Sequence, residues 1–101
     1  MEQKKYEVEL TTPLGKRRGN MDLTFEDGKV EGVLCLFRNS EPVTGWIKAD
    51  GSCALQGEFH TLLNKYSYDA TGKICDGKLS LMLYGKMHNY RMEGQELSDV
   101  R

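Results

Sequence analysis

Arg17, Thr61, Tyr66, Tyr68 and Tyr90 are the side chains of this sequence best suited to hold a small molecule. Phenol and threonine hydroxyls both donate and accept hydrogen bonds, and a guanidinium grips a carboxylate through two parallel bonds. Whether they act together depends on the fold, because they are scattered along the chain. The remaining candidates are weaker. Cys35, Cys53 and Cys75 contain no C-x-x-C, and neither His60 nor His88 is spaced around them as a metal ligand would be. No metal and no cofactor is expected. The segment "GKRRGN" at 15–20 lacks the Lys-Ser/Thr ending of a phosphate loop. Glu58 and Asp69 fall where an outward, solvated position is expected. No G-x-S-x-G or H-E-x-x-H is present, no catalytic residue is assigned, and the pattern points away from an enzyme.

The elements that must position these residues are strands. Helical periodicity is absent, and apolar residues alternate at period two almost throughout. The alternation predicts strands over 5–12, 17–26, 29–38, 41–48, 52–63, 66–75, 78–86 and 89–96. Residues 97–101 read as a tail, and nothing divides the chain, so residues 1–101 are expected to be one domain.

Turn chemistry sets the register. Asp27-Gly28 and Asp76-Gly77 suit two-residue hairpins, in which both central residues take positive φ. They pair Phe25 with Val30 and Ile74 with Leu79, apolar against apolar. A two-residue turn at Asp50-Gly51 would put Ile47 out of phase. A three-residue loop, Ala49-Asp50-Gly51, with a left-handed Gly51 and a G1 bulge, pairs Ile47 with Cys53 instead. Leu14-Gly15, Asn39-Ser40, Asn64-Lys65 and Met87-His88 are the expected two-residue loops at the other end. Every sequence neighbour is then an antiparallel neighbour in space.

Seven glycines, Gly19, Gly32, Gly45, Gly57, Gly72, Gly85 and Gly94, fall on the apolar face of this meander. An interior glycine costs a strand about 0.5–1 kcal/mol. It is useful where a sheet bends sharply or where inward side chains collide across a narrow lumen. Closing the sheet on itself buries that face and removes both edges. The expected fold is all-β, an eight-stranded antiparallel up-and-down meander barrel. One end carries the Asp-Gly turns and is plugged by Phe25, Val30, Ile47, Cys53, Ile74 and Leu79. The other gathers Thr12, Arg17, Thr61, Tyr66, Tyr68 and Tyr90 into a polar mouth. That mouth reads either as a ligand site above an apolar floor or as the cap of a filled core. Outward, Val33, Cys35, Phe37 and Trp46 fall on adjacent strands and predict a homodimer interface.

Charge narrows the partners. Lys plus Arg number 14 and Asp plus Glu 15, a net charge of -1, so nucleic acid is not an expected partner. No apolar run is long enough for a membrane helix. The opening "MEQKKYEVEL" has no apolar signal core, and an odd cysteine count fits free thiols, so a cytoplasmic location is expected.

With segments of the type "TTPLG", "DGKVEG" and "DGKLSL" strung along a meander, the chain resembles the calycin-like barrels: lipocalins, fatty-acid-binding proteins and avidins. It is most similar to small lipocalin-like bacterial proteins of unassigned role. Gly45-Trp46 is adjacent and on the fourth strand, unlike the G-x-W of a lipocalin first strand, and "TTPLGKRRG" leaves no room for a helical lid. No binding residue is carried over. The leading expectation, carried by the mouth residues, is a non-enzymatic module that binds a small apolar or amphipathic molecule through Tyr66, Tyr68, Tyr90 and Arg17 at the open end. The alternatives are a ligand-free homo-oligomeric or protein-interaction module and, third, a small barrel isomerase or cyclase.

Overall fold

A computed structural model describes residues 2–13, 15–36, 39–60, 65–86 and 88–97, with the side chains of residues 59 and 60 left aside. The strands are β1 Glu2–Thr12, β2 Gly15–Glu26, β3 Lys29–Leu36, β4 Asn39–Ile47, β5 Ser52–His60, β6 Lys65–Cys75, β7 Lys78–Tyr84 and β8 Asn89–Glu96. Each pairs antiparallel with its sequence neighbours, and β8 pairs with β1, so the sheet closes into an eight-stranded barrel.

The three Asp-Gly turns take the geometry their chemistry dictates. Asp27 and Asp76 have φ of 52° and 54°, each followed by a glycine with positive φ. Phe25 pairs with Val30 and Ile74 with Leu79. At Asp50-Gly51 the chain makes the longer loop. The Gly51 N–H donates to the Lys48 carbonyl, the Lys48 N–H to Ser52, Gly51 has φ of 94°, and Ile47 pairs with Cys53. Each turn also leans on the strand beyond it. Backbone N–H groups of Ile47, Ile74 and Glu96 donate to the carbonyls of Gly28, Gly51 and Gly77 at 2.8, 2.9 and 2.7 Å.

The opposite end departs from the expected loops, always by an even step. β1 and β2 meet at Thr12–Gly15, β3 and β4 at Leu36–Asn39, β5 and β6 at His60–Lys65, and β7 and β8 at Tyr84–Asn89. Asn39 and Lys65 therefore belong to strands; of the expected strand over 52–63, residues 61–63 lie outside the described residues. The reason is packing. A loop at Asn64-Lys65 sets Gly57 opposite Gly72, a void against a void. The actual ladder sets Gly57 opposite Tyr68 and Cys53 opposite Gly72. A step of two keeps every apolar residue inward, so alternation alone does not distinguish these registers.

The pairing also determines the width. Glu2 faces Phe25, and the circuit runs on through Val30, Gly45, Leu55, Ala70 and Leu83 to Tyr90. Tyr90 lies one step beyond the Arg91–Thr11 pair, beside Thr12. One circuit thus climbs from residue 2 to residue 12 of β1, a stagger of ten residues. Eight strands with that stagger tilt by about 40° and enclose a backbone radius of about 8 Å. At that radius, side chains from facing walls meet.

Among the described residues, eighteen inward side chains form the core, including Tyr6, Leu10, Leu23, Leu55, Leu83 and Met92. Large residues face glycines across the ladders, as in the row Leu23–Gly32–Val43–Gly57–Tyr68. A Cβ on Gly32 would overlap the Asp22 carbonyl oxygen, and one on Gly72 the Ser80 carbonyl oxygen. The wall curls so tightly there that the concave side has no room for a side chain.

Candidate functional site

The proposed mouth residues spread along one rim. Arg17 pairs with Leu10 on the inward phase of β2 but is solvent-exposed, one layer above the core. Tyr66 pairs with Phe59 and is 38 % exposed. Tyr90 pairs with Leu83, packs on the core, and has the His88 ring 6.2 Å away. Thr61 lies outside the described residues. Tyr68 differs from the others. It is only 6 % exposed, and its ring lies over Gly57, where a Cβ would sit 2.5 Å from the phenol oxygen. Burial pushes its ionisation well above the ordinary phenol range. Tyr68 is therefore part of the filling, whereas Tyr66, Tyr90 and Arg17 stand at the edge.

Two further groups share that rim. Glu41 pairs with Leu34 on the inward phase of β4 and is half-buried. Its signal was the alternation with Val43, masked by reading Asn39-Ser40 as a turn. His88 is exposed beside Tyr90. The rim thus offers hydroxyls, a guanidinium, a carboxylate and an imidazole around an apolar interior.

Two open hollows among the described residues lie along the outer wall. One, of about 620 Å³, crosses β7, β8 and β1 between Met82, Tyr84, Arg91 and Thr11. The other, of about 430 Å³, crosses β4 to β6 between Pro42, Gln56, Glu58 and Asp69. Glu58 and Asp69 share this second hollow, where Glu58 accepts from Ser67 Oγ and pairs with Lys65, both at 3.3 Å.

On the outer wall of β3 and β4, Val33 is 41 % exposed and pairs with Pro42. Cys35 is exposed, its Sγ 2.8 Å from Ser40 Oγ. Trp46 is 49 % exposed, pairs with Lys29 and has Lys48 Nζ 5.7 Å from its ring. The Glu31–Thr44 pair lies between Trp46 and Val33. Phe37 lies outside the described residues.

The remaining thiols differ. Cys53 is buried, and burial pushes it up to about 11 from 9.0; Cys75 is exposed opposite Lys78. Among the described residues, no three His, Cys, Asp or Glu side chains converge on a point where a metal ion could sit.

No protein-family model matches the chain, and comparison with curated proteins and with solved structures finds no significant match. Function is therefore argued from the site alone.

Proposed function

We propose that this calycin-like barrel is a non-enzymatic interaction module that works through its outer wall, as a homodimer joined across β3 and β4. The supporting observation is the filled interior: large residues interlock with glycines through the lumen, while Val33 and Trp46 are left outward and exposed. A second copy is the occupant the patch fits best. A two-fold interface sets a surface against itself. This one carries Lys29 and Lys48 as well as Glu31, so it can offer opposite charges to its own image. A chain of net charge -1 repels its copy little. Cytoplasmic residence, with free thiols, belongs to the same proposal, and neither nucleic acid nor membrane is a partner in it.

The test is oligomeric state. Sedimentation of the wild type should give a dimer, and Trp46→Lys should give a folded monomer. A monomeric wild type, or a Trp46→Lys dimer, would sink the reading.

The half-buried Tyr90, with Arg17 and Glu41 on other strands of the same rim, supports a second reading, a small amphipathic ligand at the rim. Native mass spectrometry of freshly purified protein should then show added mass that Tyr66→Ala and Tyr90→Ala remove. A bare chain mass that stays bare with added fatty acid counts against it.

A further inference from the structure

The three Asp-Gly turns look alike in sequence but expose different chemistry. An aspartyl carboxyl followed by glycine can be attacked by the glycine nitrogen at Cγ. A C–N bond forms, water leaves, and a five-membered succinimide results. Hydrolysis at the main-chain carbonyl reroutes the backbone through Cβ, giving isoaspartate with no net change of mass and no co-reactant but water.

At Asp50-Gly51 both reacting atoms are tied down. The Gly51 nitrogen donates to Lys48 O at 2.9 Å, and Asp50 Oδ1 accepts from the Ser52 N–H at 2.9 Å. Gly51 is itself buried. At Asp27-Gly28 and Asp76-Gly77 neither the glycine nitrogen nor the carboxylate is held by a described residue; only the glycine carbonyls are, by Ile47 and Glu96. Gly28 is exposed and Gly77 half-buried against Glu96.

From this geometry we infer that Asp27, and after it Asp76, are the sites at which this protein isomerises spontaneously, while Asp50 is protected by its own turn. The chemistry runs through the protonated carboxyl, whose leaving group is water. The Ser52 N–H and hydroxyl hold the Asp50 carboxyl below its ordinary range, which lowers that fraction further. Isomerisation at Asp27 lengthens the main chain inside a two-residue turn. It therefore breaks the Glu26–Lys29 closure and shifts Gly28 away from Ile47.

The full chain, held for weeks at body temperature and neutral pH and then peptide-mapped with electron-based fragmentation, tests this. Isoaspartate should accumulate fastest at Asp27, next at Asp76, and about thirtyfold more slowly at Asp50, the factor that two hydrogen bonds of ordinary net strength supply. In urea the three rates should converge. Asp27→Asn and Asp50→Asn, both compatible with their turns, should lose ammonia in the same order, read as a mass gain. Equal rates at Asp27 and Asp50 in the folded chain would overturn the inference. So would an order that persists unchanged in urea, which would place the control in local sequence.

Discussion

The two ends of the barrel are built on different principles. At the turn end, three Asp-Gly pairs dictate loop length, twist and register locally, and three glycine carbonyls are then clamped by the neighbouring strands. At the rim end no residue pair has that authority. Asn39 and Lys65 look like turn formers in sequence and lie in strands. What sets the rim is the interior, through the need to place Tyr68 over Gly57 and Cys53 opposite Gly72. One end is specified by backbone conformation and the other by side-chain volume. The candidate ligand groups all sit at the end that packing controls.

Substitution at two of the positive-φ glycines, one at each end, gives the largest contrast between the ends. Gly51 has φ of +94°, and a Cβ there would meet the Ile74 carbonyl at 2.8 Å. Gly15, at the rim, has φ of +116° with nothing within 4 Å. Gly51→Ala should cost about 3 kcal/mol in urea unfolding, from strain and overlap together, and Gly15→Ala about 1–2 kcal/mol from strain alone. Equal losses would show that the clamp at the turn end is not rigid.

Alkaline unfolding compares the two halves of the core. Burial, with Glu96 and Glu2 nearby, pushes Tyr6 in the turn half from 10.0 to about 12; Tyr68 in the rim half is raised by burial alone. Cys53 rises from 9.0 to about 11. These groups hold their protons more tightly when folded than when unfolded. Their stabilisation is therefore whole below pH 9, and is lost as pH climbs through the folded values. Chemical denaturation should show stability falling from about pH 9 upward. Tyr6→Phe and Tyr68→Phe should each flatten that fall. A curve level to pH 11 would mean that water reaches these groups in the folded state.

The smallest difference should come from exposed ion pairs. Lys65–Glu58 at the rim end spans 3.3 Å and Lys4–Glu96 at the turn end 3.8 Å. Glu58→Gln and Glu96→Gln should each cost less than about 1 kcal/mol, and the cost should vanish in high salt. A larger, salt-resistant loss at Glu96 would mean that the turn end is held by charge as well as by its backbone clamps.

Much of the fold was legible because two signals agreed. Alternation assigned the inward face of every strand, and the Asp-Gly turns tied β2 to β3, β4 to β5 and β6 to β7 in the observed register. The other five ladders, the β8–β1 closure among them, were not legible, since a slide by an even number of residues leaves the alternation intact. That ambiguity fell on the rim. Tyr68 was grouped with Tyr66 and Tyr90 as a binding side chain because all three share a phase. Only the true ladder shows it folded down over Gly57. Glu41 was passed over for the same reason, its strand being read as starting late.

The sequence by itself determined that this chain makes an all-β meander with one apolar face, because side-chain direction in a strand follows residue parity and Asp-Gly enforces tight turns. Tertiary structure alone decided the ten-residue stagger, the filled lumen, and which polar groups stand at the rim. Those depend on the fit of large side chains against glycines in neighbouring strands. Such a fit exists only once the sheet has closed, and no local pattern encodes it.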